Sequence, residues 1–417
     1  MILAFSGPSG SGKSTLIESL PFEELFPGQK IHFFEEDTFF LLKLIKGIAG
    51  SGSFLGFKSQ TIHQEKQARG IRHYLMRLFY PLIIYTEFLI KFLYFEILFP
   101  KKVAVMDRYV YDYWVTLRCN LQILGPINDF LFSRFPRPYL SIYIKVGLEE
   151  LTERNKNPES PRVSDSKFQE DVLAAYTEIS ERTNMLEVEN VGSLETAVGN
   201  ITRHIRNKST LSKVKEIVII GLDGSGKSTL CENLSEYLRK LNIQNFVAHF
   251  YHDPVLYKIL KRAGYYERKL GHLSEEEIME RGRQHNIKAR KSGRSFFWAA
   301  LHFVDSWFQY LFFKLIGGGR VIIFDRFFYD FLGSFKYLRV PRQEVFERLI
   351  PGVENAFFLS CPPEICFERK PENTKEFFEE NHKFYVEIAD KYDLEVIDSM
   401  QGSPQEVLTD LIGRVGQ

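Results

Sequence analysis

Cysteine is scarce in this chain. Cys119, Cys231, Cys361 and Cys366 are scattered without a C-x-x-C pair, and they read as reduced core residues of a cytosolic protein. Net charge is nearly absent: the formal value is +1, so no global field draws nucleic acid or an anionic membrane to the surface, and no nucleic-acid partner is expected. No signal peptide precedes the first strand, which starts at Ile2, and a cytoplasmic location is expected. Uninterrupted apolar runs of membrane length are also missing. The nearest is 78–99, LFYPLIIYTEFLIKFLYFEILF, broken by Pro81, Glu87, Lys91 and Glu96. Its counterpart at 296–316, FFWAALHFVDSWFQYLFFKLI, is broken by His302, Asp305 and Lys314. Both read as helices buried in a core or an interface rather than as membrane spans.

What remains is an ordinary globular composition, 44% apolar and 26% charged, in a chain of 417 residues, long enough for two or three domains. Residues 216–230, EIVIIGLDGSGKSTL, organise it. A buried strand, Ile217 to Ile220, runs into a glycine-rich turn and then a helix. Gly221, Gly224, Gly226, Lys227, Ser228 and Thr229 fit the phosphate-cradling G-x-x-x-x-G-K-[ST] pattern, the P-loop. Backbone N–H groups of such a turn hold nucleotide phosphates together with the positive end of the following helix. Lys227 would neutralise the β/γ-phosphates of ATP, and the Ser228 hydroxyl would ligate Mg²⁺.

The chain carries this device twice. Residues 2–15, ILAFSGPSGSGKST, place Gly7, Gly10, Gly12, Lys13, Ser14 and Thr15 in the same roles. Laying one half over the other pairs Lys13 with Lys227, Asp107-Arg108-Tyr109 with Asp325-Arg326-Phe327, Arg154 with Arg369, and Tyr176 with Tyr385. Slowly drifting offsets are what a duplicated domain with small loop changes produces. The expected domains are 1–207 and 214–417, separated by the polar stretch near Asn207–Lys213. Within each half the apolar runs are continuous rather than alternating, which predicts an α/β fold. Each domain would be a parallel sheet flanked by helices, with its ligand beyond the carboxyl ends of the strands.

Asp107 and Asp325 each end an apolar strand, where a P-loop protein places its Mg²⁺-water carboxylate. Arg108 and Arg326 follow at once and suit a phosphoryl group, because a planar guanidinium meets phosphate oxygens bidentately. Glu35, Glu36 and Asp37 end the second strand of the first half, and Asp253 stands near the same point of the second. Glu36 and Asp253 either accept a proton from an attacking hydroxyl or orient the acceptor, or they cap a helix or turn. Between 258 and 294, Ser274 with Glu277 makes a capping box. Arg283, Arg290 and Arg294 share one helix face there, either an anion-binding stripe or a solvated one. Arg154 with Arg162, and Arg369 with Lys370 and Lys375, follow the fourth strands, where basic residues either close over a triphosphate or form a charged surface loop. Asp112 and Asp330 repeat three residues after Tyr109 and Phe327. They either cap the next helix or touch the acceptor.

With these residues in view, each half resembles the thymidylate kinase family of P-loop nucleoside monophosphate kinases. The second half resembles it more, because GLDGSGKST matches the family loop through Asp223, which the resemblance implies contacts the nucleotide sugar. The Asp-Arg-aromatic motif is similar to the family's Asp-Arg-Tyr, and the segment after PPEICFERK looks like its lid. The family's Arg-Glu-Pro segment is missing from both halves, and Asp112 and Asp330 replace its serine. The first half's GPSGSGKST with EEDTFF is similar to nucleoside kinases of the uridine kinase type. The resemblance implies two tandem P-loop kinase domains, each with a lid, using ATP and Mg²⁺. The expected acceptor is a small molecule, by default a nucleoside monophosphate such as dTMP. A nucleoside or other hydroxylated metabolite, or a nucleotide-binding regulatory or scaffold role with one or both halves inactive, are the alternatives. The family's dimers further imply an intramolecular pseudo-dimer, with the apolar helices near 82–99 and 301–316 packed together.

Overall fold

Runs such as ILAF, VAVM and IVII consist of β-branched and large apolar side chains without alternation, and they become strands covered on both faces. The computed structural model describes residues 1–34, 71–98, 102–120, 125–155, 166–190, 192–250, 295–337, 340–371 and 374–416. The chain divides into two units. One comprises Met1–Lys208 with Lys240–Asn242, the other Ser209–Arg239 with Ile243–Gln417.

The first unit holds a five-stranded sheet of β1 (Ile2–Ser6), β2 (Lys30–Phe34), β3 (Lys102–Asp107), β4 (Leu140–Lys145) and β5 (Leu186–Glu189). Its order is β2-β3-β1-β4-β5, and every neighbouring pair is parallel. The second unit repeats the plan with β6 (Glu216–Ile220), β7 (Asn245–His249), β8 (Val321–Asp325), β9 (Ala356–Ser360) and β10 (Glu395–Asp398). There the order is β7-β8-β6-β9-β10, again parallel throughout. In each sheet the first strand in sequence lies at the centre, with chain connections departing to opposite sides. That is the switch point at whose carboxyl end α/β sheets open a crevice. All five residues of β1 and of β6 are buried.

The long apolar helices belong to the cores of their own units. In Ile71–Phe92, continued by a π-helical turn Leu93–Leu98, Tyr80, Ile84, Phe88 and Phe95 are buried. In Ser295–Gly317, Ala299, Phe303 and Tyr310 are buried. The charges that interrupt these runs are satisfied within the fold. Buried Glu87 lies 3.7 Å from Lys91, Asp305 accepts from Gln309 Nε2 at 2.8 Å, and Lys314 pairs with Glu216, which also accepts from the Tyr310 hydroxyl at 3.0 Å. Among the described residues, no helix is long and apolar enough to cross a membrane.

The polar stretch from Asn207 differs from a plain linker. The helix Leu194–Leu211 runs through it, because Ile201, Ile205 and Leu211, with Lys208, continue one buried face while Ser209 and Thr210 are exposed.

Candidate functional site

Each central strand ends in a glycine-rich loop whose shape excludes side chains at its first glycine. Gly7 has φ +154° and Gly221 φ +149°. A Cβ there would lie 2.8 Å from Ile144 O in the first unit and 2.6 Å from Leu359 O in the second. Both loops are therefore pressed against the adjoining strand, β4 or β9, as only glycine allows. The lysine six residues on folds back into the loop. Lys13 Nζ donates to Gly7 O at 2.7 Å and Pro8 O at 2.9 Å, and Lys227 Nζ donates to Leu222 O at 2.6 Å. Both are nearly fully buried. Burial and then the neighbouring Arg326 guanidinium pull the Lys227 ammonium below its ordinary value, with Asp223, Asp330 and Asp325 opposing them.

The next residue reaches the adjoining strand end. Ser14 Oγ donates to Asp107 Oδ2 at 2.6 Å, and Ser228 Oγ to Asp325 Oδ2 at 2.7 Å. The second carboxylate oxygen, Oδ1, of Asp107 and of Asp325 is buried and lacks a hydrogen-bond partner. In each unit, a buried carboxylate oxygen without a hydrogen-bond partner beside a serine hydroxyl is a donor set that hydrated Mg²⁺ suits, since it bonds oxygen and retains waters. Gly10, Thr15, Gly224 and Thr229 complete the loops and the first turns behind them.

Arg108 and Arg326 share an unusual backbone. Their φ angles are +79° and +74°, a left-handed conformation that costs a non-glycine residue free energy. The strand pairing holds it, through Arg108 N to Phe5 O at 2.9 Å and Arg326 N to Ile219 O at 3.1 Å. Each guanidinium then lies against the third residue of its own glycine loop. Arg108 Nη2 donates to Ser9 Oγ at 3.0 Å. Arg326 pairs with Asp223 and stands 3.8 Å from Asp330.

Asp112 and Asp330 cap the helix that follows, as one of the two sequence readings has it, and they also brace the site. Asp112 Oδ2 accepts from Tyr109 N at 2.9 Å, and Asp330 Oδ2 from Phe327 N at 2.8 Å, the returning half of a capping box. Asp112 also accepts from Ser6 Oγ at 2.6 Å and Gly7 N at 3.1 Å. Tyr176 OH lies 2.7 Å from Asp112 Oδ1, and Tyr385 OH 2.7 Å from Asp330 Oδ1. Burial and then these carboxylates push both phenols well above their usual range. The repeat Tyr176/Tyr385 is visible in sequence, but the bracing it provides is not.

Arg154 and Arg369 end short helices, Leu148–Arg154 and Pro363–Arg369. They donate to loop carbonyls: Arg154 Nη1 to Gly10 O at 3.2 Å, and Arg369 Nη1 to Gly224 O at 3.3 Å. Lys375 instead stands 5.6 Å from the Phe367 ring centre. Two asparagines absent from the sequence reading also hold the first loop, Asn155 Nδ2 to Ser9 O at 3.0 Å and Asn190 Nδ2 to Ser11 O at 2.7 Å. A third unforeseen residue is His249, whose Nδ1 lies 3.2 Å from Asp325 Oδ2. In its segment, HFYHDP, the sequence expectation falls on Asp253. Glu35, Glu36, Asp37, Asp253, Arg162, and Arg283, Arg290 and Arg294 with their helix from Ser274 lie outside the described residues.

No protein-family model matches the chain, and no curated protein shows similarity to it.

Proposed function

We propose that the chain is a tandem P-loop phosphotransferase of thymidylate kinase type, each unit moving the γ-phosphoryl of ATP to a small acceptor, by default a nucleoside monophosphate. One observation carries the reading. In both units a glycine loop at the centre of a parallel sheet brings a buried lysine, a serine bonded to a strand-end carboxylate, and an arginine into one cluster. That is the equipment phosphoryl transfer needs, since its catalysis is mostly positioning and charge neutralisation.

In this reading Lys13 and Lys227 exchange loop carbonyls for β/γ-phosphate oxygens. Arg108 and Arg326 leave Ser9 and Asp223 to meet the transferred group, and Arg154 and Arg369 approach it from the loop's other side. Asp223 orients the acceptor once Arg326 is released. Ser14 with Asp107, and Ser228 with Asp325, hold Mg²⁺, which supplies charge neutralisation of the triphosphate when bound. The segments expected to form lids, and Glu36 and Asp253 as acceptor contacts, belong to the same proposal.

Calorimetry with ATP and Mg²⁺, and ADP release across a panel of nucleoside and nucleotide acceptors, test it in wild type, Lys13→Ala and Lys227→Ala. Each substitution is expected to lower turnover by its own unit at least a hundredfold, on the order of the loss when one preorganised charge-stabilising group is removed. Full activity in both variants, or a folded wild type that takes up no nucleotide, refutes the reading.

A further inference from the structure

Two thiols stand where the second unit's glycine loop meets the strand beside it. Cys361 directly follows β9, and Cys366 lies in the helix Pro363–Arg369. Cys366 Sγ reaches back to Cys361 O at 4.0 Å, and the two thiols are in hydrogen-bonding contact. Both are enclosed, Cys361 at 1% exposure and Cys366 at 0%. The hydrogen bond from Cys366 lowers the Cys361 pKa, against burial and with help from the Arg369 charge, while Cys366 is pushed up. One sulfur is thus biased toward thiolate with a protonated partner beside it, the arrangement in which an attacking and a resolving cysteine work.

The pair is packed against the phosphate loop. A Cβ at Gly224 would lie 2.5 Å from Cys366 O and 3.2 Å from Cys366 Cα, so loop and helix turn meet without slack. Lys227 is near enough for its charge to act on the Cys366 thiol. Arg369, at the end of the same helix, donates to Gly224 O at 3.3 Å. In the first unit, strand register places Tyr143 beside Ser6 as Phe358 lies beside Ile220. The places of Cys361 and Cys366 are therefore taken there by Val146 and Leu151, both buried. Apolar side chains fill the same positions, so packing alone does not call for sulfur.

We infer that Cys361 and Cys366 are a redox modification site, joined as a disulfide by a hydroperoxide, and that this bond weakens nucleotide binding by the second unit while sparing the first. The Cys361 thiolate attacks one peroxide oxygen, an S–O bond forms, and the O–O bond breaks. The departing hydroxide takes up the proton that the thiol gave up. Cys366 sulfur then attacks the sulfenic sulfur, the S–S bond forms, and the S–O bond breaks with loss of a second water. Two thiols are oxidised and one peroxide is reduced to two waters. The new bond draws the helix turn toward the end of β9 and shifts the backbone on which Gly224 rests. Its effect on nucleotide rests on the nucleotide-binding reading above, whereas the disulfide itself does not.

The reduced full chain is treated with hydrogen peroxide, remaining thiols are alkylated, and peptides are mapped by mass spectrometry. The peptide holding Cys361 and Cys366 is expected to lose two hydrogens and to take no alkylating reagent, reversibly on reduction. Calorimetry with a non-hydrolysable ATP analogue and Mg²⁺ is expected to show affinity at one of two sites falling about tenfold, an ordinary size for coupling between sites. Cys361→Val, which installs the first unit's residue, and Cys366→Ala are each expected to bind alike before and after peroxide. Thiols that stay alkylatable or go singly to sulfinic acid overturn the inference. So do a disulfide that changes neither affinity and a peroxide effect that persists in both variants. The nucleotide reading survives all three results. A folded, reduced chain that takes up no nucleotide overturns both.

Discussion

The two tyrosine braces offer a test in which one perturbation has unequal consequences in two copies of one fold. Tyr385→Phe and Tyr176→Phe each delete a hydroxyl and leave the ring, which stacks on Phe358 at 5.7 Å in one unit and on Tyr143 at 5.4 Å in the other. In the second unit Tyr385 OH supplies the hydrogen bond to Asp330 Oδ1, at 2.7 Å, leaving that oxygen with only Arg326 at 3.8 Å. Asp330 is 5% exposed, so water does not readily replace the donor. A hydrogen bond to a charged, buried group is worth about 1.5–3 kcal/mol, and Tyr385→Phe is expected to cost about 2 kcal/mol. In the first unit Asp112 Oδ1 keeps a second donor, Gly7 N at 3.1 Å, and Oδ2 keeps Ser6 Oγ at 2.6 Å and Tyr109 N at 2.9 Å. Tyr176→Phe is therefore expected to cost about 1 kcal/mol, nearer a neutral bond. Global unfolding of a two-unit chain is not two-state, so the assay is hydrogen exchange read separately on peptides from β6 and β1. Equal losses, or a larger loss for Tyr176→Phe, refute the argument that the number of donors on each carboxylate sets the cost.

Other outcomes follow from individual positions. Gly224→Ala places a Cβ 2.5 Å from Cys366 O at φ +82°, whereas Gly226→Ala at φ +98° meets nothing within 4 Å. The second is expected to cost about 1–2 kcal/mol of left-handed strain, and the first distinctly more, measured by exchange in the same peptides and by nucleotide affinity. Burial, with Arg203 adding to it, lowers the His204 pKa from 6.5 to about 4. The folded state thus keeps the ring neutral, so stability is complete above pH 6.5 and is lost as pH falls toward 4. The slope reaches at most about 1.4 kcal/mol per pH unit. Denaturant melts between pH 7 and 4.5 should show this slope, and His204→Gln should flatten it. The raised phenols act at the other end: stability contributed by Tyr176 and Tyr385 is present below pH 10 and declines as pH rises above it. Exchange protection near β1 and β6 should fall above pH 10 and fall less in the Tyr→Phe variants.

The strand core was legible from local sequence because burial on both faces imposes a local rule. An inner parallel strand, covered on both faces, is apolar at nearly every position, so IVII, VIIF and AFFL announce β6, β8 and β9 without reference to anything distant. The glycine loops were legible for the same reason, since their backbone conformation is a demand on single residues. Strand order, by contrast, is a long-range choice. Nothing local in VAVMD says that it lies between β1 and β2, yet that placement brings Asp107 to Ser14 and Arg108 to Ser9. Pairings across 55 to 103 residues likewise decided that Tyr385 braces Asp330, that Asp223 holds Arg326, and that His249 touches Asp325. Residue type prescribes what a side chain can bond, and short-range sequence prescribes the element it rides on. Which partner it meets depends on the register of strands far apart in the chain, and only the folded sheet supplies that.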